Sequence, residues 1–177
     1  MTHTFPGIIR VLHWLMAAAI FTMLFVGAGM VATVSTRHTW LYALHKPLGI
    51  AILVLAILRL VVRLTSKTPP LPADLPYFMA LVAKGSQVLL YALMIAMPLI
   101  GWLMLSAGGY PVSLGGGIAL PDLVDKSDSL YALLRPLHTE LAYCLLLLVL
   151  GHLGAALFHG LIRRDGVLAS MTFSRKS

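Results

Sequence analysis

The chain has 177 residues, of which 59% are hydrophobic and only 11% are charged. Soluble domains carry about 45–50% apolar and about 25% charged residues, so this chain lacks the polar side chains to cover a water-facing surface, and its apolar content excludes disorder. The net charge of +7 does not point to nucleic acid, because the basic residues sit at the ends of apolar runs, where membrane topology accounts for them. With a single cysteine, Cys144, there is no intrachain disulfide framework, no CxxC zinc site and no Cys-ligated iron–sulfur cluster.

Crossing about 30 Å of hydrocarbon takes roughly 20 mostly apolar helical residues. Four segments qualify in chain order: about Ile8 to Val34, Leu44 to Leu64, Met79 to Ser106, and Leu130 to Ile162. The first is longer than a signal-peptide core of about 7–15 residues and is read as a retained span. Pro98 is expected to kink the third. The proline-rich SKTPPLPADLP after the second span is stiff and without helix. The glycine-rich GGYPVSLGGGIALPD after the third is expected to fold over the mouth of the bundle. The predicted fold class is all-α: an integral membrane four-helix bundle, one membrane domain over residues 1–177.

Lysine and arginine set the orientation. Arg10, Arg59, Arg63, Lys67, Lys84, Arg163, Arg164, Arg175 and Lys176 share one side; Arg37, Lys46, Lys126 and Arg135 lie on the other, beside Asp122, Asp125 and Asp128. Both termini of this multi-pass protein are therefore expected in the cytoplasm. Trp14, Trp40 and Trp102 lie near span ends, as an interfacial belt requires.

Histidines carry the chemical signal, because an ionisable group inside a membrane is costly and marks a functional site. His13 lies near the cytoplasmic end of the first span and His45 near the outer end of the second. The fourth span carries His138 near its outer end and His152 deeper in. Fourteen residues separate the last two, which is about 21 Å along a helix axis and a return to within roughly 40° of one face. Antiparallel topology then pairs His45 with His138 at the outer level and His13 with His152 at the cytoplasmic level. Two imidazole pairs at two depths are what two six-coordinate b-type haems in a four-helix bundle need. The residue four after each histidine is small: Ala17, Gly49, Ala142 and Ala156. That position is one turn away on the same face, where a flat macrocycle needs clearance. Non-haem metal is weaker, since two histidines alone leave zinc under-coordinated.

Two further groups lie near the cytoplasmic level. His159 follows His152 by seven residues on almost the same face and is placed to hold a quinone carbonyl. Arg59 follows His45 by fourteen and faces the same side, where it can pair with a haem propionate or a quinone oxygen. His3 and His38 are read as solvent groups in the tail and the outer loop.

The runs IIRVLHWLMA, LHKPLGIAILVLAILRLVVRL, the TPP that follows, MPLIGWLM and LHTELAY…GHLGAALFHGLIRRDGVLASM resemble the bacterial cytochrome b561 family over nearly the whole chain. One departure is Gln87, which stands where the pattern has a histidine. The resemblance implies a four-helix inner-membrane protein with two haem b groups ligated by His13, His45, His138 and His152. It further implies a quinone partner near His159, with ubiquinone as acceptor. It is strongest to superoxide-oxidising members, which implies an enzyme that takes electrons from periplasmic superoxide. The alternative is a haem-bearing anchor that links quinone to a partner dehydrogenase or soluble cytochrome. A transporter or sensor without haem would be colourless. Membrane lipid is a partner in every case.

Overall fold

The computed structural model describes residues 4–72 and 74–173. His3, Arg175 and Lys176 lie outside the described residues. Four helices are long and apolar enough to cross a membrane: α1 (Gly7–Ala32), α2 (Thr36–Thr65), α3 (Tyr77–Gly108) and α4 (Asp128–Leu157). A π-helical segment, Phe158–Arg163, extends α4, and a short α5 (Val167–Met171) follows. The α3–α4 connection contains an antiparallel hairpin of β1 (Val112–Gly115) and β2 (Ile118–Leu120). The "terminal end" below is the one holding Phe5 and α5; the "hairpin end" is opposite.

Local chemistry sets where the helices start and stop. The Ser35 hydroxyl accepts the Arg37 amide at the start of α2, and Ser127 accepts the Leu130 amide at the start of α4, each satisfying a donor the helix cannot. Gly109, at φ 71°, closes α3 in the left-handed conformation. The Ser35 cap starts α2 eight residues before the apolar run at Leu44. Arg37 and His38 are thus helical rather than part of a loop, and the His38 ring stacks on Tyr42 with centroids 6.3 Å apart. Hydropathy registers only the apolar part of such a helix; its polar first turns are invisible to it.

Packing is uneven around the bundle. α1 lies along α2, α3 along α4, and α2 meets α3, whereas the α1 and α4 backbones make no comparable approach. The core consists of Met16, Ile20, Ile52, Ala56, Leu93, Met94, Met97 and Leu145. Leu145 is seven residues from both His138 and His152, so this apolar layer lies midway between the two histidine levels. At the hairpin end, β1 packs on α2 and α3. The Trp102 indole donates to the Pro121 carbonyl at 3.0 Å, and the buried Ser106 hydroxyl accepts the Leu123 amide at 3.1 Å. The glycine-rich connection is a hairpin anchored on this side of the mouth.

Candidate functional site

Polar side chains inside the bundle fall at two levels. His45 of α2 faces His138 of α4 with ring centroids 6.2 Å apart, and His13 of α1 faces His152 of α4, also at 6.2 Å. The pairs join the elements whose backbones stay apart, α1 with α4 and α2 with α4. A metal–imidazole nitrogen bond is about 2 Å. Adding the half-width of each ring, two imidazoles on opposite sides of one metal ion have centroids about 6 Å apart. The observed spacing fits that arrangement. Direct imidazole–imidazole hydrogen bonding would bring the rings closer, and none links the members of either pair.

Unpaired buried polar atoms gather at the same levels. Among the described residues they are Nδ1 of His45 and of His138, Nε of Arg10 and of Arg59, and the Tyr91 hydroxyl. Such an atom costs about 1–3 kcal/mol in an apolar interior, so these positions are built for polar partners beyond those the chain supplies. The Arg59 guanidinium sits over the Tyr91 ring, 5.3 Å from its centroid. Arg10, one turn before His13, donates to the Thr172 carbonyl through Nη1; from sequence it reads only as a topology signal. Among the described residues no three His, Cys, Asp or Glu side chains converge.

α3 contributes no histidine, yet it shapes the hairpin-end pair. A methyl group at Gly101 would lie 3.2 Å from Cε1 of His138, so glycine lets α3 press against that ring. Pro98 stands one turn earlier, and Pro47 and Pro136 stand two residues from His45 and His138. Each proline leaves the carbonyl four residues before it without its helical donor. At Gly49 an added methyl would meet only Met23, at 3.6 Å, an ordinary contact, so helix packing does not demand glycine there. Gln87 is exposed on α3.

His159 lies in the π-helical segment and hydrogen-bonds through Nδ1 to Oδ2 of Asp165 at 2.5 Å. This partner was missed from sequence, because a six-residue spacing is not a helical contact distance. At the hairpin end Lys46 is committed: its Nζ donates to the Pro111 carbonyl at 3.3 Å and sits 4.7 Å from the Tyr42 ring centre. Arg37 and Arg135 remain exposed, as do Asp122, Asp125 and Asp128.

Comparison with known proteins matches this architecture. The family model of prokaryotic cytochrome b561 matches residues 4–174. Cytochrome b561 homolog 2 of Escherichia coli (strain K12) is 31% identical over 163 residues, covering 90% of this chain and 86% of that protein. Cytochrome b561 homolog 1 of the same organism is 28% identical, covering 93% and 94%. A probable superoxide oxidase, CybB, of Yersinia pestis is 32% identical over 133 residues, covering 75% and 74%.

Proposed function

Since the chain belongs to the prokaryotic cytochrome b561 family, a family of membrane electron-transfer proteins that implies haem b, we propose that it carries two b-type haems and oxidises superoxide at the expense of ubiquinone in the inner membrane. The observation that carries the reading is the pair of histidine couples, each with centroids 6.2 Å apart, at the two ends of an apolar core. The relative named as a probable superoxide oxidase favours superoxide over a protein donor.

Haem b supplies one-electron ferric–ferrous chemistry when bound. His45 and His138 hold one group and His13 and His152 the other. Arg59 and Arg10 balance carboxylate charge at the terminal level, which relieves their unpaired buried nitrogens. The Met16–Leu145 layer excludes water between the levels. Arg37 and Arg135 draw an anion to the hairpin end. His159 meets a quinone carbonyl at the terminal end. Overall, two superoxide ions become two O2, and one ubiquinone takes up two electrons and two protons from the cytoplasmic side.

Detergent-purified protein, oxidised and dithionite-reduced, with a pyridine haemochrome assay, tests the cofactor half. Two b-type haems per chain are expected, and a colourless folded preparation overturns the reading. Superoxide supplied with ubiquinone tests the reaction. Superoxide-dependent quinol is expected, and its absence from loaded protein sinks the assignment of donor and acceptor.

A further inference from the structure

We infer that Asp165 is a positioning residue that makes His159 the proton donor to a quinone-type acceptor, so that the pair is the proton inlet of the terminal end. This rests on the reading that the acceptor is reduced beside His159.

The backbone goes to some length to create the contact. Residues six apart on a regular helix do not meet. Here the helix widens into a π-helical segment over Phe158–Arg163, then reverses through Arg164 at φ 52° and Gly166 at φ 82°. Arg164 is the only non-glycine residue with positive φ among those described. π-helical turns and left-handed non-glycine residues both concentrate at functional sites; here the first carries His159 and the second directly precedes Asp165. The result folds a carboxylate back onto the helix that carries the histidine.

The carboxylate is held on several sides. Oδ2 takes His159 Nδ1 and lies 3.2 Å from Nε of Arg163, while Oδ1 accepts the Val167 amide at 3.2 Å. The side chains of His159 and Asp165 are only 19% and 13% exposed. Burial opposes the charge of Asp165, but the His159 hydrogen bond, the Val167 amide and Arg163 together outweigh it and hold the carboxyl below its ordinary 3.8. Arg163 also pairs with Asp74 of the α2–α3 loop, so its charge is shared. α5, packed on the π-helical segment, carries no titratable side chain. The nearest such group on α4 is His152, seven residues back; Arg164 is exposed and donates to the Leu161 carbonyl.

An ionised carboxylate only accepts hydrogen bonds, so Asp165 fixes the proton of His159 on Nδ1. Nε2 is then free to alternate. In the imidazolium it carries a proton and donates it to a quinone carbonyl oxygen, which only accepts. The ring left behind is neutral, and Nε2 then accepts the hydroxyl of the product. A proton from cytoplasmic water restores Nε2–H for the second transfer. Two electrons from the donor side and two protons through Nε2 convert the quinone to the quinol.

The test compares haem-loaded parent protein with Asp165→Asn and Asp165→Glu in lipid nanodiscs. Three quantities are followed: reduction of the protein by superoxide without acceptor, ubiquinone turnover across pH 5.5–8.5 (about three pH units, bracketing histidine titration), and equilibrium binding of a redox-inert quinone analogue across the same range. For Asp165→Asn we expect unchanged reduction by superoxide and a loss of turnover of about tenfold or more at neutral pH. The pH profiles of turnover and analogue binding should change shape from the parent's, and Asp165→Glu should restore much of both. Superimposable pH profiles for parent and Asp165→Asn overturn the inference. So does an equal loss at every pH with a lowered melting temperature, which would make the pair a staple of the C-terminal segment. If the parent itself fails to reduce ubiquinone, the underlying reading fails before any variant is compared.

Discussion

His13, His45, His138 and His152 form two couples at separate levels on either side of the Leu145 layer, which makes their roles separable by substitution. His45→Ala is expected to lower the haemochrome count from two to one per chain, and His13→Ala to do the same at the other level. Removing both members of one couple should cost no more than removing one, whereas removing one from each should leave none. Gly101→Ala probes the packing around one ring. The added methyl 3.2 Å from His138 Cε1 introduces overpacking of about 1–3 kcal/mol, against a gain of up to about 1 kcal/mol in helix propensity. A net loss of about 1 kcal/mol in thermal unfolding, with a perturbed spectrum for the hairpin-end haem alone, is the expected outcome. The histidines were legible because a polar side chain stands out in an apolar run. Gly101 was not, because its constraint comes from a ring on another helix.

At the scale of elements, the helices were legible to within a few residues wherever hydropathy and helix coincide, and less so where they part. The start of α2 is set by a serine cap and not by apolar content. In sequence the hairpin reads as a loop, because its three glycines at positive φ, Gly115, Gly116 and Gly117, make a tight reversal without any alternating apolar pattern. The C-terminal segment shows the same limit. Its short α5 is tied to the start of α1 by three bonds: the Phe5 amide to Ser170, Arg10 to Thr172, and the Trp14 indole to Met171 at 3.0 Å. From sequence Trp14 reads only as an interfacial aromatic. Trp14→Phe keeps the aromatic body and deletes one donor, so we expect a loss of about 0.5–1.5 kcal/mol. Limited proteolysis should cut around residues 164–173 faster in that variant, with the transmembrane helices resistant as before.

For the whole molecule, the lysines and arginines at the terminal end outnumber those at the hairpin end, and the rule that positive loops stay inside predicts that both termini are cytoplasmic. A fluorescent reporter fused after residue 177 should fold and fluoresce, whereas an alkaline phosphatase fusion there should be inactive. The reverse pattern would invert the donor and acceptor sides of the proposed reaction. Length, composition and the spacing of four histidines determined the class of the molecule: a four-span bundle with two polar levels, read from the cost of polar groups in hydrocarbon and the 3.6-residue turn. Those are properties of single segments, so one chain of letters suffices for them. Tertiary structure decided what depends on distance between segments. It set the 6.2 Å spacing of each histidine couple, the Gly101 contact, the unpaired nitrogens of Arg10 and Arg59, and the return of Asp165 onto His159. Each of these arises where backbones from different elements, or a chain reversed on itself, meet in space, and no periodicity along the sequence encodes such a meeting.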